Sequence, residues 1–140
     1  MMTYKDVLFE LNEKADEKYK DFIAKLVPTI DKDTIIGVRM GDLRRLAREI
    51  RKEANLDIFN EAKFYYREEK LLYALCLFKM SQSFYKVMEA LDEFLPHIDS
   101  WEVTDLVAGE LIIKEVQREK AFQKALSYVH SSDEYTIRLG

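Results

Sequence analysis

Apolar residues recur at intervals of three and four along nearly the whole chain. That spacing gathers them on one stripe of a helix and leaves the charged residues on the other. No stretch alternates apolar and polar positions convincingly, and no Asn-Gly pair marks a hairpin turn. Four glycines and two prolines in 140 residues leave little punctuation. The pattern therefore predicts an all-α fold. A first helix is expected over about Tyr4 to Lys18 and a second over about Asp21 to Val27, stopped near Pro28. The loop "PTIDKDTIIGVRMG" leads to a third helix, "DLRRLAREIRKE", with Asp42 near its start. A short helix follows over about Asp57 to Tyr65, then "REEKLLYALCLFKM". "SQSFYKVMEALDEFL" comes next, with Ser81 or Ser83 as cap and Pro96 past its end. "SWEVTDLVAGELIIKEV" and "REKAFQKALSYVH" complete the set.

The later helices look periodic. "LPHIDSWEVTDLVAG" aligns with "YVHSSDEYTIRLG", so that His97 matches His130 and Asp105 falls opposite Arg138, both at a spacing of 33. "FYYREEKLLYALCL" resembles them more loosely, with Glu69 in the corresponding polar slot. A period in the thirties with two helices per unit points to a helical solenoid. Equivalent positions of successive inner helices would line one concave wall, placing Glu69, Asp105 and Arg138 along it. The last residues, "SSDEYTIRLG", read as a cap and about two helical turns whose Tyr135, Ile137 and Leu139 ask for a partner. They raise the expectation of a single domain over residues 1–140, incomplete at its C-terminal end, with self-association through that end as one remedy.

With 48% hydrophobic and 34% charged residues, the composition is that of an ordinary well-packed domain. One cysteine, Cys76, allows no disulfide within the chain. The charged N-terminus lacks an apolar leader, and no run reaches the roughly 18–20 apolar residues of a membrane span. A cytoplasmic location, with no membrane partner, is the expectation.

The net charge of −4 does not advertise nucleic-acid binding, but the average hides a patch. Between Ile36 and Lys52 stand Arg39, Arg44, Arg45, Arg48, Arg51 and Lys52 against only Asp42 and Glu49, giving that stretch +4. Arg44, Arg48 and Arg51 share one helical face. Arginine suits bidentate phosphate contact, and the "IIGVRMG" turn offers backbone N–H groups as a further anion site. A solvated basic face explains the same pattern without a ligand. In "DSWEVTDLVAG" the lone tryptophan, Trp101, stands one helical turn from Asp105. Packing plus a solvent-facing acid accounts for that pair locally; a site for a cationic ligand is the sharper alternative. Cys76 has no nearby histidine and reads as core, His97 and His130 read as structural, and the aromatic stretch "FYYREEKLLYALCLF" reads as helix packing. No metal-ligand spacing, nucleotide fingerprint or phosphate-binding glycine loop is present, so no cofactor is expected.

Taken together, "IIGVRMGDLRRLAREI", "DSWEVTDLVAG" and "YTIRLG" resemble the DNA alkylation repair (AlkD-like) family of DNA glycosylases, over about residue 4 to residue 140. The resemblance implies a right-handed superhelix of HEAT-like helix pairs and covers roughly the first two-thirds of the family's usual length. It implies a site made of Trp101, Asp105 and Arg138. It also implies removal of positively charged N3- or N7-alkylated purines from duplex DNA, bound independently of sequence. Arg39, Arg44, Arg45 and Arg48 would grip the DNA backbone. Gly41 stands where the family often carries proline after "GVRM". The alternative is a non-catalytic HEAT-like module that binds the DNA backbone or a protein partner.

Overall fold

A computed structural model of the chain describes residues 2–80 and 84–113. All regular structure among them is helical, as the periodicity predicts: α1 Tyr4–Glu13, α2 Glu17–Leu26, α3 Met40–Glu53, α4 Arg67–Met80, α5 Phe84–Phe94 and α6 Trp101–Ile113, with short 3-10 turns between. The helix expected from "REKAFQKALSYVH", the Ser81 and Ser83 caps, His130, Arg138 and the C-terminal end all lie outside the described residues.

The first two predicted helices are present, but the break between them falls earlier, at Lys14–Asp16 instead of after Lys18. α1 opens on a capping box in which Thr3 and Asp6 satisfy each other's backbone N–H groups. It stops at Lys14, because Asp16 takes over as the cap of α2, accepting from the N–H groups of Lys18 and Tyr19. The Asp16 N–H in turn donates to the Gly37 carbonyl at 3.0 Å. Gly37 sits at φ +96°, and a Cβ there would lie 2.5 Å from the Asp16 carbonyl oxygen. The "GVRM" glycine is thus required twice, for its left-handed backbone and for the close approach of the α1–α2 joint. The short helix expected over Asp57 to Tyr65 is a 3-10 turn, Leu56–Glu61, capped by Asn55.

α4 organises the rest. Its residues from Arg67 to Phe78 are all buried, so no polar stripe is left. α3 packs along one flank and α6 along another. α3 and α4 run in the same direction: Val38 lies beside Glu68 at one end, and Ala47 beside Cys76 further on. α6 starts at this same end, where Glu102 meets Arg67. One continuous apolar cluster joins α1, α3, α4, α5 and α6, with Leu43, Ile50, Leu71, Leu72, Leu77 and Leu91 at its centre. A smaller cluster, Ile23, Val27 and Ile35, seats α2 against Trp101. Each fully buried aliphatic side chain contributes about 1.5–3 kcal/mol.

The common end of α3, α4 and α6 is ionic. Arg67, Glu68, Glu69 and Lys70 are consecutive and 2%, 0%, 3% and 6% exposed. Glu68 accepts from three successive backbone N–H groups, those of Ile36 (2.9 Å), Gly37 (3.0 Å) and Val38 (3.2 Å). Arg67 donates to Glu68 at 2.8 Å and forks onto both carboxylate oxygens of Glu102 at 2.7 and 2.9 Å. Its burial works against the charge, but Glu102 and Glu68 outweigh that and hold the guanidinium protonated. Glu69 accepts from the Tyr4 hydroxyl at 2.6 Å and from the Tyr66 N–H at 2.8 Å, and Lys70 pairs with Asp99 at 2.8 Å. The expectation that Glu69 lines an open wall beside Asp105 is therefore corrected: it is a buried strut between α1 and α4.

Removing one member of such a network strands the others without water. Glu68→Ala is expected to cost about 3–5 kcal/mol in urea unfolding. Gly37→Ala is expected to cost more than about 1 kcal/mol.

Candidate functional site

Trp101 opens α6, and its ring packs partly into the small cluster beside Tyr19, Ile23 and Ile35. Asp105 stands one turn later and is exposed. Gly109 continues the same stripe by another turn, and among the described residues nothing outside its own helix backbone and chain neighbours lies within 4 Å of where its Cβ would be. Glycine inside a helix costs about 1 kcal/mol relative to alanine, and packing among the described residues does not call for it. Among the described residues, the missing side chain leaves backbone uncovered one turn from the Asp105 carboxylate.

The start of α6 is held from three directions. Glu102 is clamped by Arg67, Asp99 is paired with Lys70, and the Asp99 carbonyl accepts from Thr29 at 3.3 Å. Trp101 and Asp105 thus sit on a rigid platform whose orientation is set by buried charge. The sequence reading missed this platform. A run of four charged residues at a helix start reads as solvated, and the only cue was that an entirely apolar helix follows it.

The basic residues fall into two groups. Arg39 is the residue before α3; it pairs with Asp16 at 3.3 Å and lies 4.7 Å from the Tyr19 ring centre. The Tyr19 N–H first, and then Arg39 and the Lys18 N–H, hold the Asp16 carboxyl below its usual range against a smaller effect of burial. Arg45 pairs with Asp42 at 3.1 Å. Both ion pairs are on the surface, where such contacts are weak. Arg44 and Arg48 are exposed and form no ion pair among the described residues. They border, with Arg51 and Lys79, a small cleft of about 50 Å³ between α3 and α4. The shared face predicted for Arg44, Arg48 and Arg51 is real, and Lys79 joins it from a second helix, which spacing along one segment could not reveal.

The "IIGVRMG" turn is not an open anion site. Its N–H groups at Ile36, Gly37 and Val38 are taken by Glu68, so the anion bound there is the protein's own.

A family model described as DNA alkylation repair enzyme matches residues 7–140. The chain belongs to the DNA alkylation repair enzyme family. No curated protein and no solved structure matches it. Membership in this enzyme family suggests DNA as a partner. Arg138, expected to complete the site, lies within the matched range but outside the described residues. No helix among the described residues is long and apolar enough to cross a membrane.

Cys76 lies away from the Trp101–Asp105 stripe, within the core of α4. It is fully buried on α4, and burial pushes its thiol up to about 12, against the smaller opposing effects of Arg51 and Lys79. Burial, with Glu93 adding to it, lifts the Tyr73 phenol to about 12 as well. An unfolded chain loses these protons first, so folding stability present below about pH 9 must fall as pH rises towards 12. Each group contributes a slope of up to about 1.4 kcal/mol per pH unit. Urea titrations from pH 8 to 11 should show this decline, and Cys76→Ala should make it shallower. A thiol reagent should label Cys76 only as the protein unfolds.

Proposed function

We propose that this member of the DNA alkylation repair family is a DNA glycosylase. It hydrolyses the N-glycosidic bond of positively charged N3- or N7-alkylated purines in duplex DNA. The observation that carries the reading is the stripe on α6, where a partly buried aromatic face, an exposed carboxylate and an open glycine follow one another at one-turn spacing.

An alkylated purine of this kind already carries a positive charge. When its bond to C1′ breaks, the electron pair goes to the base and neutralises it, so no general acid is needed. Charge then develops on the sugar as an oxocarbenium ion. Asp105 stabilises that charge or orients the water that adds to C1′, and the water's proton is released to solvent. Trp101 offers its face to the cationic lesion or its sugar, a contact of about 0.5–2 kcal/mol. Arg138 holds the phosphate beside the lesion, a role that rests on the family resemblance. Arg39, Arg44, Arg45 and Arg48, joined by Arg51 and Lys79, hold backbone phosphates without reading sequence. α3 and α6 both pack on α4, and Arg39, beside Tyr19, stands at the cluster that also seats Trp101.

Release of 7-methylguanine from a methylated duplex tests the chemistry. Wild type should release base, while Asp105→Asn should bind the duplex normally and release at least about 100-fold more slowly, the scale of a lost electrostatic stabiliser. Binding without release by wild type would instead favour a non-catalytic module. Arg44→Ala with Arg48→Ala should weaken binding equally for every sequence, and should reduce the slope of log affinity against log salt by about 2.

A further inference from the structure

Five large apolar side chains stand exposed among the described residues: Phe9, Phe22, Leu26, Tyr65 and Tyr85. Scattered singly, such residues need no explanation. Phe22 and Leu26 are not scattered. They lie one turn apart on α2, 58% and 45% exposed. Around the axis of this helix the side chains fall in strips. Ile23 faces the small core cluster, and beside it come Tyr19, Leu26 and Phe22. Lys18 and Lys25 follow, and beyond the lysines stand the acids Glu17 and Asp21.

Phe22 is exposed but not loose. Its ring stacks on that of Tyr19, with 6.2 Å between centres and 29° between planes. Tyr19 in turn rests on the Ile23, Val27 and Ile35 cluster, the same cluster that seats Trp101. The guanidinium of Arg39 lies 4.7 Å from the Tyr19 ring centre and that of Arg67 lies 5.9 Å from it. Phe22 is thus the outer end of a braced stack whose root is the head of α6. A ring held mostly in water contributes little to folding. Held at a fixed angle, it is preorganised for a flat apolar partner.

The lysine strip narrows what that partner is. Lys18 and Lys25 are exposed and form no ion pair among the described residues. Lys25 acts on Asp21 only through space, and Asp21 is itself paired with Lys32 at 2.6 Å. Flat apolar faces bordered by anions are what the bases and phosphates of DNA present, and the family points to DNA. We propose that α2 is a DNA-contacting wall in which Phe22 inserts its ring between two stacked bases beside the lesion. Leu26 packs on the adjoining sugar, and Lys18 and Lys25 meet phosphates. The inference rests on the reading of DNA as substrate and deepens it. A base step opened there deprives the lesion of one stacking neighbour and lets it turn towards Trp101 and Asp105.

The test uses the full chain and short duplexes carrying 2′-fluoro-2′-deoxy-7-methylguanosine, whose fluorine slows base loss. In each duplex 2-aminopurine stands on one side of the lesion or the other. Stacking quenches its emission, so an opened step brightens it. At saturation, wild type should raise the emission several-fold in one of the two duplexes. Phe22→Ala should abolish the rise. It should lower affinity by less than about ten-fold, because ring stacking and the lost base stacking nearly cancel. It should leave the Tm unchanged, since the side chain is exposed. Phe22→Tyr keeps the ring and should keep the rise. Lys18→Gln with Lys25→Gln should instead reduce the slope of log affinity against log salt by about 2 and keep the brightening at saturation. A rise in neither duplex, or one unchanged in Phe22→Ala, would overturn the proposal and leave the repair reading standing. Absence of any duplex binding would overturn both. A rise without release of 7-methylguanine from an unfluorinated duplex would sustain the wedge and remove the glycosylase reading. A dimer in sedimentation that Phe22→Ala dissolves would assign this edge to a second copy of the chain and overturn the proposal.

Discussion

The fold depends on one buried carboxylate. Glu68 closes a turn of three amides that would otherwise be orphaned, and that turn delivers the chain into α3. A charge in such a place is stable only when its hydrogen-bonding capacity is filled. The three N–H groups and the Arg67 guanidinium fill it. Arg67 then carries the link to Glu102. A single chain of contacts therefore fixes the start of the phosphate-facing helix, the central helix and the helix that bears Trp101 and Asp105. Hydrophobic contact holds the three helices together; this network sets their register.

That division explains how much of the architecture could be read in advance. α4 was legible from Arg67 to Met80, because a long apolar run with no Gly or Pro has only one plausible structure. α3 was legible from its arginine and leucine faces, and α6 from Trp101 onward. The position of the break between α1 and α2 was not, since no glycine or proline marks it: it was expected after Lys18 and falls at Lys14–Asp16. Asp16 breaks the helix by capping the next one, and it is fixed there by Gly37, some twenty residues away in sequence. The buried charges were invisible for the same reason. Whether "REEK" faces water or protein is decided by the Ile36–Val38 turn, by Tyr4 and by Glu102, none of them its neighbours in sequence.

The candidate site divides in the same way. The Trp101–Asp105 pair and the shared face of Arg44, Arg48 and Arg51 follow from helical spacing alone. Lys79 joins that face only through the packing of α4 on α3. The turn before α3 offered N–H groups that looked available from sequence, and tertiary structure gave them to Glu68. Helical periodicity reports what shares a face; it says nothing of which face another helix has already claimed.

The tryptophan count has a practical consequence. Trp101 is the only tryptophan in the chain, and it sits at the head of α6 between an apolar cluster and the open stripe. Its indole emission, excited near the red edge of the tyrosine band, therefore originates wholly at the candidate site. Any event there, whether a base stacking on the ring, a shift of α6 or a change in local polarity, would register as a change in colour or intensity without a label. The protein carries its own fluorophore at the place where its chemistry is expected.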